Sequence, residues 1–366
     1  MAYVKLTPPQ LLELRASLRA AFNKAALSDL LNSIQRVFED YAGDDTYPVQ
    51  VMAVVKAAEQ ESWVMELLAA ARAQRPADPN LERIEREFAQ VALPHGFDPY
   101  EICCLSGEYV MVNRKDLRRA LRGMSDPNGK RILVVRDKSP PANDALLGTK
   151  TGKSLSVQMI SALNQQLGGF ELVWIDLRQF NDSLGTSALI QPRDLALRLV
   201  RQLRYDVDSV PEAPVDSQWS RWGIEFCDDF EPQARADQRK VWIVIDEFNK
   251  VSLPQGTLDL IKQLADRVRV TLPHFRLVLL GYRDTFGPDV LKLVEEEKIE
   301  RAISIRDVVE FLIGAAKQRR LTPTEARIED EAVKALSGLD PSADGYLEEV
   351  GQRALAALKR LAAAGP

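Results

Sequence analysis

The tripeptide Gly152-Lys153-Ser154, within LLGTKTGKSLS at 146–156, is the residue order in which a phosphate-binding loop ends. In such a loop, backbone N–H groups and the N-terminus of the following helix hold the phosphates. A lysine neutralises the β and γ charges, and a serine hydroxyl ligates Mg2+. The order here is incomplete, because the pattern asks for a glycine five places before Gly152 and this chain has Leu147 there. A working site, a degenerate one and a chance tripeptide are all compatible with these residues alone. A second stretch bears on the choice: KVWIVIDEF ends in Asp246-Glu247. That is the form of a strand whose aspartate holds Mg2+ through water and whose glutamate polarises an attacking water. The simpler alternative is a core strand running into an acidic turn.

Other chemistries have little to work with. The two histidines, His95 and His274, stand far apart, which argues against a histidine metal centre or a Ser/His/Asp triad. Cys103 and Cys104 are adjacent and Cys227 is remote, so neither a disulfide framework nor a CxxC metal pattern is present, and all three are expected to be small buried side chains. A net charge of −5 over 366 residues argues against a chain whose main task is gripping nucleic acid. No apolar run is long enough to span a membrane, and MAYVKLTPPQLLELRASLRAAF lacks the apolar core of a signal peptide. The chain reads as cytoplasmic.

The elements that must position these residues differ in texture along the chain. From Thr7 to about Gln90 the pattern is helical, with Thr7 as cap, Pro8 at the first helical position and Leu11, Leu14, Leu18 and Phe22 on one stripe. Further helices are predicted over 26–39, 49–59 and 62–73, carrying Leu30, Leu31, Ile34, Val54, Trp63 and Leu67, with Gly43-Asp44-Asp45 and the prolines at 76 and 79 as breaks. After the linker ALPHGFDPY comes a hairpin around Ser106-Gly107 and a helix beginning after Asn113. Strands are then predicted over 131–136, 171–177, 240–248, 276–282 and 302–305, with helices over 153–167, 192–204, 218–236, 256–270 and 288–296. This is an α/β domain with a largely parallel sheet. Lys153 therefore opens a helix after the strand RILVVR, and Asp246 closes a strand two strands later. Fifteen residues, DKSPPANDALLGTKT, separate Arg136 from Gly152, against about five in a compact loop. They are not expected to wrap a triphosphate as the compact loop does, although Gly148 and Lys150 offer some flexibility and charge. Trp219 and Trp222, near Asp228, Asp229 and Glu231, are expected in the core or in a partner-facing patch.

Two resemblances follow from these stretches. LTPPQLLELRASLRAAF, LSDLL and AAEQESWVMELLAAARAQRPADPNL resemble the first type of bacterial effector-associated domain, a death-like helical adaptor. The resemblance implies like-with-like contact with an effector protein carrying a similar domain. The region from about Tyr100 to Ile305 resembles the trimmed modules of signal-transduction ATPases with numerous domains, in which the Asp246 strand follows an additional strand. In RLVLLGYRDTF, Arg283 sits where such ATPases direct an arginine toward the γ-phosphate. In VMVNRKDLRRAL, Arg114 sits where they cap the adenine side, with Asn113 in place of the usual glycine.

The expectation is an α plus α/β chain: an effector-associated, death-like helical bundle over 1–90, a linker, hairpin and pre-loop helix over 91–130, a P-loop α/β sandwich over 131–305 and a helical lid over 306–366. Gly152, Lys153, Ser154, Arg114 and Arg283 are the candidate residues for ATP or GTP, Ser154 and Asp246 for Mg2+, and Glu247 for catalysis. The expected role is a signalling adaptor of a bacterial conflict or regulatory system, with the P-loop module as a nucleotide-dependent switch or oligomerisation scaffold. An active ATPase driving assembly and a scaffold with a dead site are the alternatives.

Overall fold

The computed structural model describes residues 8–41, 45–60, 63–76, 78–88, 94, 96–105, 109–138, 152–180, 189–214, 218–300, 302–343 and 345–363. The first helices, α1 (Pro8–Ala21), α2 (Lys24–Ser33), α3 (Tyr47–Gln60), α4 (Val64–Gln74) and α5 (Pro79–Phe88), bury their apolar stripes against one another. Leu14, Leu18, Phe22, Leu30, Leu31, Val54, Trp63 and Leu67 form their core, Ile34 lies at its margin, and every buried member of that core falls within 14–84. Polar caps set the helix starts: Asn23 accepts from the Ala26 N–H at 2.9 Å, and Asp78 accepts from those of Asn80 and Leu81. Trp63 is fully buried, with the Arg36 guanidinium 5.1 Å above its ring.

The helix predicted over 26–39 is shorter in the structure. The N–H groups of Ile34, Gln35 and Arg36 turn back onto the carbonyls of Leu31 and Asn32, and Gln35 adopts φ +58°, a helix-ending reversal. It redirects the chain so that Phe38, in a short 3-10 turn, enters the core.

The second part of the chain runs α6 (Lys115–Ser125), β1 (Ile132–Asp137), α7 (Ser154–Leu167), β2 (Glu171–Asp176), α8 (Pro192–Leu203), α9 (Trp219–Ala236), β3 (Val241–Asp246), α10 (Gln255–Val270), β4 (Phe275–Leu280), α11 (Pro288–Leu291) and β5 (Val294–Ile299). The strands form one parallel sheet in the order β2-β3-β4-β1-β5. Alternation along each strand divides the residues between two faces. Ile132, Val134, Ile243, Ile245, Leu277 and Leu279 pack with α8, α9 and α10, whereas Leu133, Val135, Val244, Val278 and Leu280 pack with α6 and α7. Asn113, just before α6, has φ +51°, a left-handed state that asparagine tolerates. Trp222 is buried in the first of these cores and Trp219 packs at its edge.

The last strand departs from the sequence expectation. A helix was predicted over 288–296 and a strand over 302–305; instead α11 ends at Leu291 and β5 is formed by VEEEKI. Its three glutamates favour a helix locally. Pairing with β1 along the whole strand, from Ile132↔Val294 to Asp137↔Ile299, overrides that preference and buries Glu297 and Ile299.

The tail is helical: α12 (Ile305–Gln318), α13 (Glu325–Leu336) and α14 (Tyr346–Ala363) pack around Cys103, Cys104 and Val110. Cys104 bridges antiparallel to Val110, as a hairpin requires, while residues 106–108 at its turn lie outside the described residues. Gln318 grips this segment, accepting from the N–H groups of Cys103 and Cys104 and donating to the Cys104 carbonyl, all at 2.9 Å. All three cysteines are buried, and burial pushes the Cys104 thiol up to about 11 and that of Cys227 to about 12. Among the described residues no helix is long and apolar enough to cross a membrane.

Because the bundle has a core of its own, residues 1–90 expressed alone should unfold in one cooperative step, read from the emission of Trp63, the one tryptophan in that stretch. Trp63→Ala should lower the stability by about 3–5 kcal/mol in a urea titration. A fragment without a transition would show that the bundle depends on the rest of the chain.

Candidate nucleotide site

The chain enters α7 through Gly152, whose φ of +79° strains any residue with a side chain. Lys153 already has helical backbone angles, and its own side chain does not cap α7. The positive end of a long helix therefore lies at the carboxyl edge of the sheet. The Lys153 side chain is buried, and its ammonium donates to Asp137 Oδ2 at 2.6 Å. Asp137 is the last residue of β1, and its other oxygen, Oδ1, is buried without a hydrogen-bond partner among the described residues. The side chain of Ser154 and residues 139–151 lie outside the described residues.

Residues in register on parallel strands share a face. Asp176 pairs with Asp246, Ile245 with Leu279, and Val135 with both Leu280 and Glu297. A single row therefore crosses the sheet through Asp176, Asp246, Leu280, Val135 and Glu297, on the face covered by α6 and α7. Asp137 lies two residues further along β1 on that same face. With β4 between them, β1 and β3 are separated by roughly 10 Å.

Asp246 is 2% exposed, and its Oδ1 accepts the Glu247 N–H at 2.6 Å. Burial, then the charge of Glu247, push its carboxyl up to about 7. Glu247 leaves β3 at φ +69°, a state that costs a residue other than glycine on the order of 1–3 kcal/mol. Arg178 partly neutralises this corner. Its guanidinium bonds both oxygens of Asp176, at 3.2 and 2.8 Å, and approaches the Glu247 carboxylate at 3.4 Å.

The resemblance implied a place for Arg114 on the adenine side of a ligand; the structure places its guanidinium inside the protein, 5% exposed. Nε and Nη2 donate to the two oxygens of Glu297 at 2.7 and 2.9 Å, Nη1 to the Gly152 carbonyl at 2.8 Å, and Nη2 also to Ser156 Oγ at 2.7 Å. Arg114 thus ties the start of α7 to β5. Arg283 is exposed just beyond β4, at the sheet edge between the strands that carry Asp137 and Asp246. The exit from β4 requires Gly281, which has φ +89° and whose added Cβ would lie 2.9 Å from Asn249 Oδ1.

Gly152, Lys153 and Arg114 are therefore brought together, while Asp246 and Glu247 form a second cluster with Asp176 and Arg178. Asp137, Asp176, Arg178 and Glu297 escaped sequence reasoning. Strand parity could have found the acids at 137 and 176, since each continues the alternation of residues that face α7. A phosphate-bearing ligand fits this donor set: a carboxylate already stands as an anion against Lys153 at the start of α7. The acids of the second cluster fit Mg2+, which is commonly held by one or two carboxylates together with phosphates and water.

Residues 4–89 match the family described as effector-associated domain 1. The effector-associated match thus falls on the helical bundle, and the parallel α/β region follows it in the chain. Among solved structures, Thermotoga maritima RuvB, the Holliday junction branch migration motor, is similar at 12% identity and a TM-score of 0.33, covering 72% of this chain and 65% of that chain. C. elegans PCH-2 is similar at 13% identity and a TM-score of 0.25, covering 68% of this chain and 66% of that one. The chain spans just under two thirds of the length of either. No curated protein matches the sequence.

The buried Arg114–Glu297 pair yields a prediction. Glu297→Ala should destabilise the protein by about 3–5 kcal/mol, because it strands a buried guanidinium, whereas Arg114→Met with Glu297→Leu should cost less than that single change. Urea denaturation of the single and double variants measures both.

Proposed function

We propose that this chain is an adaptor of a bacterial signalling or conflict system, in which the effector-associated bundle recruits a protein with a similar domain and the α/β region binds ATP or GTP with Mg2+ as a switch or oligomerisation scaffold. The observation that carries the nucleotide half is positional. Lys153, at the start of α7, pairs with Asp137 at the end of β1, and Asp246-Glu247 closes β3 on the same face of the sheet. In this reading Gly152 and Lys153 bind the phosphates, Ser154 and Asp246 hold Mg2+, and Arg283 approaches the phosphates from the end of β4. Mg2+ bound there would neutralise phosphate charge. Glu247 is the residue placed to orient a water, and it must first leave Arg178 to do so. Arg114 acts as a positioning residue that fixes the carbonyl of Gly152. The adaptor half rests on the family match over residues 4–89 and on the bundle's separate core.

Mg-ATP or Mg-GTP at a hundredfold excess over its dissociation constant should stabilise the protein by about 2.7 kcal/mol. Lys153→Ala should abolish the shift in a thermal melt. Glu247→Gln should keep the shift and suppress whatever turnover the wild type shows. A wild type that responds to no nucleotide would leave only a scaffold.

For the bundle, Arg19, Glu39 and Asp40 are exposed. Arg19→Glu and Glu39→Lys should weaken capture of an effector carrying a similar domain while leaving the melting temperature unchanged, since exposed charges act on association more than on folding. Unchanged capture in a pull-down with both variants would remove this surface from the contact.

A further inference from the structure

The pairing of Lys153 is unlike the other buried ion pair nearby. Arg114 meets Glu297 with a bond to each carboxylate oxygen, so both partners are satisfied. Lys153 meets Asp137 through Oδ2 alone, and Oδ1 is left buried without a hydrogen-bond partner among the described residues. A buried carboxylate oxygen with no donor is costly, and a fold that needed this pair only for stability would be expected to satisfy it. Arg136, the adjacent cation on β1, does not serve it: that side chain is bonded to Glu296 and to the Asp284 carbonyl. Nor is the placement of Asp137 incidental. It continues the Leu133 and Val135 alternation toward α7, and its backbone is fixed by pairing with Ile299. A carboxylate is therefore held against the ammonium that a phosphoryl oxygen would otherwise engage.

We propose that Asp137 is a built-in competitor for Lys153, an autoinhibitory contact that a phosphate-bearing ligand must displace. The inference rests on the nucleotide reading above and adds its regulation. While the pair is closed, the binding-competent state is only fractionally populated, and apparent affinity falls by that fraction. A partner or a neighbouring copy that drew the end of β1 away from α7 would release Lys153 and raise nucleotide affinity without touching the nucleotide.

The test uses the full chain and two readouts. The first is acylation of Lys153 by an amine-reactive reagent, mapped by mass spectrometry, which reports the ion pair without any ligand. The second is titration with a fluorescent ATP analogue and Mg2+. Asp137→Asn should raise Lys153 labelling several-fold and tighten nucleotide binding at least tenfold, and adding Lys153→Ala should remove the gain. Asp137→Ser, which shortens the side chain, should behave the same way and serves if the first variant folds poorly. Unchanged Lys153 labelling in both folded variants would show that the pair does not guard the lysine. Nucleotide binding that neither variant tightens beyond the wild type would overturn the competitor while leaving the nucleotide site standing. Increased labelling with no nucleotide bound by any form would overturn the competitor and the nucleotide reading together.

Discussion

The guanidinium of Arg114 is the interaction on which the architecture of the α/β region turns. A buried cation is tolerable only if its charge and its donors are matched, and here the partners come from three separate places: β5, the entry to α7, and the first turns of that helix. Satisfying it fixes the sheet's last strand against the pre-loop segment and holds Gly152 in its left-handed turn. The next residue, Lys115, pairs with Glu310 of α12, and Gln318 of the same helix holds the backbone at 103–104. The short segment from 102 to 115 thus connects the helical tail to the start of α7.

The charges around the candidate site are compensated in two local groups. Lys153 takes Asp137; Arg178 takes Asp176 and approaches Glu247. Asp246, bonded by its oxygen to a backbone N–H, stays so far from water that its ionisation is suppressed toward neutrality. A polyanion arriving with a divalent cation would exchange these internal pairs for new ones, and the net affinity is the difference between the two sets.

Much of the fold was legible because apolar β-branched runs announce buried parallel strands, with GKS at the start of a helix and DE at the end of a strand. Four of the five strands were read from sequence nearly to their bounds. β5 was not, because VEEEKI has the composition of a helix, and only its pairing with β1 makes it a strand. The second helix of the bundle was read too long for a related reason: Ile34 and Phe38 keep the helical spacing while the backbone reverses at Gln35. At the site, motif spacing located Lys153, Asp246 and Glu247 but could not show what neutralises them. Asp137 and Asp176 sit at strand ends without a motif, and Glu297 fell just past the end of the predicted helix, in no predicted element. Arg114 was noticed for its position in a resemblance; its burial depends on Glu297, which fell between the predicted helix and the predicted strand.

β5 has one further consequence. An outer strand exposes a row of unpaired backbone groups and invites another chain to add to the sheet. This one carries Glu295, Glu296 and Lys298 beside its single buried glutamate, with Glu300 just beyond. A dense run of charge on so short a strand makes it a poor template for β-augmentation and a guard against runaway stacking. Addition of another chain to the sheet along β5 is therefore disfavoured.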